Sequence, residues 1–242
     1  MPATHATATR DSRLDLLKWL ALLCMLLDHL RYVSWPLNEL YVPGRLAFPW
    51  FCLAIAANLM RRPQPRVSGR YLGWMLSFAV LSEIPYRLFV SPVESLNVMP
   101  TLLLGMLLAS AWQQRTWPAA LLGLAILGVA FAFSGHLMFG WPGVLLPSAF
   151  LWVWQRSLVW ALLPGILCLA GNAWPQLVQA ARYDDGVSIA GIVACLSAPM
   201  LGMALLRMRR TWPVVPLRRW AYLFYPLHFL VLLGLRLFLR AL

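Results

Sequence analysis

Acidic residues are scarce: eight Asp and Glu in 242 residues, set against nineteen Arg and a single Lys. With only 12% of residues charged, the chain cannot clothe a soluble domain of this size and reads as a membrane protein, with no room expected for a separate soluble domain. Cysteine is equally sparing. Cys24, Cys52, Cys168 and Cys195 stand singly in apolar segments, without Cys-x-x-Cys or Cys/His spacing, so neither a metal site nor a disulfide framework is expected. There is no phosphate-binding glycine loop, no Gly-x-Ser-x-Gly elbow and no His-Glu-x-x-His. Inverted repeats with paired broken helices are missing too, which weighs against a transporter. The first thirteen residues, MPATHATATRDSR, hold no hydrophobic run and are expected to form a cytoplasmic extension rather than a signal peptide.

What the chain does have is apolar side chain, 61% of its residues. That content predicts an all-α, polytopic transmembrane bundle over residues 14–242, with about nine spans at roughly 25 residues each, connections included. The expected spans are about 14–34, 43–60, 70–90, 97–114, 117–134, 137–154, 157–174, 187–206 and 219–238. The basic residues support this count. Arg10, Arg13 and Lys18 open the first span. Arg61, Arg62, Arg66 and Arg70 follow the second, Arg115 and Arg156 the fourth and sixth, and Arg207, Arg209, Arg210, Arg218 and Arg219 the eighth. With nine spans these groups, fourteen of the twenty basic residues, share one side of the membrane, and the positive-inside rule makes that side cytoplasmic. The excess of +12 is thereby explained by topology, not by nucleic acid. Most of the thirteen Trp flank the spans, as an aromatic belt at the lipid interface would.

Against this background the first span, DLLKWLALLCMLLDH, is unusual for the ions it carries. At 100° per residue Asp15, Lys18, Leu22, Met25 and His29 lie within about 80° of one another, while Asp28 lies about 100° from His29. Lys18 and His29 are about 16 Å apart along the axis. Charge in lipid costs several kcal/mol, so this stripe should face inward, either for chemistry or as hydrogen-bonded glue between helices. Topology gives Asp28, His29, Arg45, Glu83, Arg87, Asn97 and Thr101 one common depth in the outer half. A neutral His beside a carboxylate can act as general base, and arginine can hold an anion. The competing readings are an obligatory ion pair between Glu83 and Arg45, and interfacial anchoring for Arg31, Arg87, Arg236 and Arg240. His228 falls near the middle of the last span, after Pro226, which removes an amide donor. His136 belongs to an outer loop, and Asp184 and Asp185 to a solvated tip ending at Gly186.

The runs LDLLKWLALLCMLLDHL, GRLAFPWFCLAIAANL, YLGWMLSFAVLSEIPYRLF, NVMPTLLLGMLL and FYPLHFLVLL resemble, in this order, the TraX family, whose namesake is the N-terminal acetylase of the F-type conjugative pilus subunit. The likeness covers about residues 14–108 and 220–233, and leaves 109–215 matched by hydrophobicity alone. A weaker likeness, a basic residue followed by His on the first helix, links the chain to membrane acyltransferases that use cytosolic coenzyme A. The resemblance implies a site containing Asp15, Lys18, Asp28, His29, Arg45, Glu83, Asn97, Thr101, Tyr225 and His228.

The expected activity is transfer of an acetyl group from acetyl-CoA, across the bacterial inner membrane, to an amine or hydroxyl of a pilin-like protein or surface polymer. In this reading His29 is the base, with Asp28 or Glu83 setting its tautomer, and Arg45, Asn97 or His228 meets the oxyanion. Arg61, Arg62, Arg209 and Arg210 are expected on the phosphates of coenzyme A. Acylation of a surface glycan or lipid, a transporter or flippase for an anionic lipid or sugar, and a noncatalytic assembly factor are the alternatives.

Overall fold

Every described element is helical. The computed structural model describes residues 11–33, 37–61, 66–217 and 221–241, and among these no strand occurs. The α-helices are α1 Ser12–Leu30, α2 Tyr41–Met60, α3 Gly69–Phe89, α4 Val98–Gln114, α5 Trp117–Ala132, α6 Gly140–Val153, α7 Leu162–Ala170, α8 Trp174–Ala181, α9 Gly186–Arg207 and α10 Ala221–Ala241. Each of the nine expected apolar segments overlaps one of them; α8 has no expected counterpart.

Short polar side chains mark where the helices begin. Asp11 accepts from the Arg13 amide at 2.9 Å, Ser68 from Tyr71 at 3.3 Å, Asn97 from Met99 at 3.0 Å and Asp185 from Ser188 at 2.9 Å. Each satisfies an amide that a first turn leaves unpaired. Asp185 is thus a helix cap, beside Asp184 at φ 60°, not merely part of a solvated tip. Five helices keep a proline in their interior: Pro49, Pro85, Pro147, Pro199 and Pro226. α10 continues through Pro226.

The expected span 157–174 is interrupted. A 3-10 turn, Leu158–Ala161, and α7 end at Gly171, and the chain bends by 95° into α8. A Cβ at Gly171 would stand 2.9 Å from the Phe139 carbonyl oxygen, and Ala173 is left-handed at φ 50°. Pro175 then opens α8, where a missing amide costs nothing.

Hydrogen bonds between helix ends define two poles. Arg61 at the end of α2 meets Asp11 at the start of α1, and Arg13 donates to the Met208 carbonyl after α9 at 2.8 Å. Arg207 donates to the Trp154 and Arg156 carbonyls after α6 at 2.8 and 2.7 Å. This is the basic end. At the other pole Arg236 of α10 donates to the Phe89 and Leu88 carbonyls at the end of α3, at 2.7 and 3.1 Å. The amide of Leu96, before α4, donates to the His136 carbonyl at 2.8 Å. Call this the histidine end.

Apolar side chains face outward where a soluble protein would carry charge. Val80 and Ile84 on α3 are both 69% exposed, with Leu88 one turn on, and α10 presents Leu227, Val231 and Phe238 in the same way. Such stripes fit a membrane protein. Three of the described helical stretches, Asn38–Met60, α9 and α10, are long and apolar enough to cross a bilayer, or four if the bent α7–α8 pair counts as one. α4, α5 and α6 are shorter, at 17, 16 and 14 residues.

Candidate functional site

His29, in the last turn of α1, and His228, in the second turn of α10, are joined by a 2.8 Å contact between His29 Nδ1 and His228 Nε2. The other nitrogen of His228, Nδ1, lies 3.1 Å from the Phe224 carbonyl one turn back. A carbonyl can only accept, so His228 carries its proton on Nδ1 and accepts at Nε2. His29 must then donate from Nδ1, which leaves the lone pair of its Nε2 unspent. No described residue hydrogen-bonds that nitrogen, and His29 is only half-buried whereas His228 is buried. Phe229 and Phe89 pack on the His29 ring, with centroids 4.9 and 6.5 Å away.

The carboxylates expected beside His29 are used elsewhere. Asp28 forms ion pairs with Arg31 at 3.0 Å and Arg45 at 3.2 Å. Arg45, buried, also donates to the Tyr41 carbonyl at 3.3 Å and to Asn172, which follows α7. Gly44 makes room for this, because a Cβ there would stand 2.5 Å from Asp28. Glu83 accepts from Arg87 at 2.6 Å, from the Asn97 amide at 3.0 Å and from Asn97 Nδ2 at 2.6 Å, and so braces the start of α4. The Glu83–Arg45 ion pair is therefore not formed. Asn97 gives its second amide hydrogen to the Ala79 carbonyl at 2.8 Å. Tyr225 accepts from the Val98 amide at 3.2 Å, and Thr101 donates to the Met138 carbonyl at 2.8 Å. The single outer-half constellation read from depth divides into the His pair, Asp28–Arg45–Asn172, and Arg87–Glu83–Asn97, with Thr101 apart on Met138 and Tyr225 standing between Val98 and the His228 ring, 5.6 Å away. The tautomer of His29 is set by His228, not by Asp28 or Glu83.

Toward the basic end the same face of α1 lines a cavity of about 460 Å³. Lys18, Leu22 and Met25 form its α1 wall, and Tyr222 and Tyr225 part of its α10 wall. One further turn along each helix brings His29 and His228. Asn58, Ser68, Arg70 and Tyr71 also line the cavity, and the remaining wall is mostly apolar. Asp15 lies 3.6 Å from Lys18. Of the arginines expected to hold coenzyme A, Arg61 is paired with Asp11, Arg209 and Arg210 are exposed outside this cavity, and Arg62 lies outside the described residues.

Asn172, Asn58, Ser68 and the Phe224 carbonyl are the participants that sequence reasoning missed. None sits in a charged or periodic pattern, and only the packing of distant segments brings them in.

The family model described as TraX protein matches residues 13–236. The chain belongs to the TraX family. Membership makes it a pilus-related membrane protein, and the match runs through 109–215, where the motifs alone carried no likeness. No curated protein and no solved structure matches the chain.

Proposed function

We propose that this TraX-family protein is a multi-pass inner-membrane acyltransferase that moves an acetyl group from acetyl-CoA to an extracytoplasmic acceptor, foremost the N-terminal amine of a pilin-like protein. The observation that carries the reading is the ordered chain from the Phe224 carbonyl through His228 to His29, which presents an unprotonated Nε2 at a half-buried position. The acceptor amine attacks the thioester carbonyl carbon and gives up its proton to His29 Nε2. The imidazolium so formed is stabilised by its Nδ1–H bond to His228. Collapse of the tetrahedral intermediate breaks the C–S bond, and the departing thiolate takes the proton back from Nε2. The products are the acetylated amine and free coenzyme A.

Donor inventory narrows the oxyanion candidates. Asn97 and His228 have spent their side-chain N–H groups, whereas Arg45 makes three of its five possible donations to Tyr41, Asn172 and Asp28. Two N–H groups of Arg45 remain for developing negative charge. The donor occupies the cavity in this proposal, with its phosphates at Lys18 and Arg70 and its thiol arm along Leu22 and Met25 toward His29. The distance of about 16 Å between Lys18 and His29 along α1 suits an extended arm of that kind.

The test is acetylation of a co-expressed pilin-like acceptor, read as a covalent mass shift. His29→Gln keeps a hydrogen-bonding side chain but cannot take a proton near neutrality, so transfer should fall by ~10²-fold or more with insertion and donor binding intact. Lys18→Gln with Arg70→Gln should instead weaken acetyl-CoA binding and leave less of it for salt to screen. Near-normal transfer by a well-folded His29→Gln protein would end the general-base role, and ligand flux without any mass shift would end the acyltransferase reading.

A further inference from the structure

A second cavity, about 630 Å³, opens at the basic end between the last turns of α2, α4 and α6. Its polar lining is Trp112, Gln113, Arg115, Trp152, Gln155 and Arg156, with no acidic residue among the lining. Arg156 lies 3.9 Å from the Trp152 ring centroid and donates from Nε to the Trp152 carbonyl at 3.1 Å, so its remaining N–H groups are held in one direction. Arg115, left-handed at φ 49° where it caps α4, is exposed and has no ion-pair partner among the described residues. Gln113 meets Met60 Sδ through Nε2 at 3.3 Å, while its Oε1 is buried without a hydrogen-bond partner.

Two physical facts decide what such a cavity holds. The first is charge. Helix C-termini carry about half a negative charge each, which would repel an anion, but Arg207 already occupies two carbonyls after α6. Two full guanidinium charges in the lining therefore prevail. The second is depth. Trp112 and Trp152 in the lining are 63 and 37% exposed, and Trp160, 50% exposed, stands 5.3 Å from the Trp152 ring, a group of indoles of the kind found where a bilayer has its headgroups. A soluble anion has no use for those indoles, whereas a lipid has a phosphate, a glycerol and acyl chains at those heights.

We propose that this cavity is a headgroup site for an anionic glycerophospholipid, with Arg115 and Arg156 on the phosphate, Gln113 and Gln155 on headgroup hydroxyls, and Leu59, Met60 and Leu151 against the first carbons of the acyl chains. The site is separate from the His pair and holds whether or not the protein transfers an acyl group.

The test uses the full chain in detergent, stripped of lipid and offered equal amounts of phosphatidylglycerol and phosphatidylcholine, with native mass spectrometry reading what stays bound. The wild type should retain phosphatidylglycerol about tenfold in preference. Arg115→Gln with Arg156→Gln should bring the ratio close to one, and each single substitution should fall between, which covers the case of a double variant that does not fold. Arg182→Gln with Arg240→Gln, an equal loss of charge at the exposed Arg182 between α8 and α9 and in the last turn of α10, should leave the preference in place. An unchanged ratio in the Arg115 and Arg156 variants, or an equal loss in the Arg182/Arg240 control, overturns the site. Release of bound lipid by millimolar glycerol phosphate would assign the cavity to a soluble phosphate and overturn the lipid.

Discussion

Asp28 and His29 are neighbours in the chain and belong to different clusters in space. Their side chains leave α1 about 100° apart, so Asp28 reaches Arg31 and Arg45 while His29 reaches across to α10. That separation yields a clean contrast. Asp28→Ala leaves Arg45 in its buried place without a counter-charge, and removing one partner of such a pair costs about 3–5 kcal/mol. A melt in detergent should show Asp28→Ala strongly destabilised and His29→Gln close to wild type, whereas equal melting losses would place both residues in one network. The order of the apolar segments was legible from sequence, because hydropathy and the arginine groups punctuate it. Rotation was not. Nothing in the order of residues says that Glu83 faces Asn97 rather than Arg45, or that α10 is shifted so that its second turn meets the last turn of α1.

Helices were the most readable feature of the chain, since apolar runs mark them within a few residues; the caps Asp11, Ser68, Asn97 and Asp185 went unread, Asp185 being taken for a solvated tip. α8 escaped notice because it begins at Trp174, where the expected span ends, and its eight residues, with Gln176 and Gln179 among them, read as a connection. The bend is enforced by close approach to the Phe139 backbone, which no local pattern reveals. The start of α1 gives a pH prediction. Burial raises the Asp11 carboxyl, but hydrogen bonds from Arg13 and the charge of Arg61 overcome this and hold it below the usual carboxylate range. A depressed carboxylate adds stability above the unfolded-state value of about 3.9 and loses it as pH falls through the lower folded-state value. Asp11→Asn can still cap α1 but cannot form these ion pairs. Its melting temperature should lie below that of the wild type at pH 7, and the two should converge below about pH 3. A gap that persists in acid would mean that Asp11 acts through its cap alone.

For the molecule as a whole, orientation decides which pole would receive the acyl donor in the proposed reaction. In the proposed arrangement the basic end is cytoplasmic. Reporter fusions after Arg66, after Asp185 and at the C-terminus should then read inside, outside and outside. A cytoplasmic C-terminus would bring the histidine end to the donor's side and remove the need for a path through the bilayer. The bond from Arg45 to Asn172 bears on how such proteins can be recombined. Arg45 lies in the first portion of the chain, rich in recognisable motifs, while Asn172 lies in the middle stretch that carries none. A hybrid that keeps one portion and borrows the other from a relative inherits an Arg whose third ligand must be supplied by its new companion. Grafts with Asn at that place should assemble, and those without it should need Arg45 and Asp28 exchanged along with the insert, so the unit of exchange is larger than the motif map suggests.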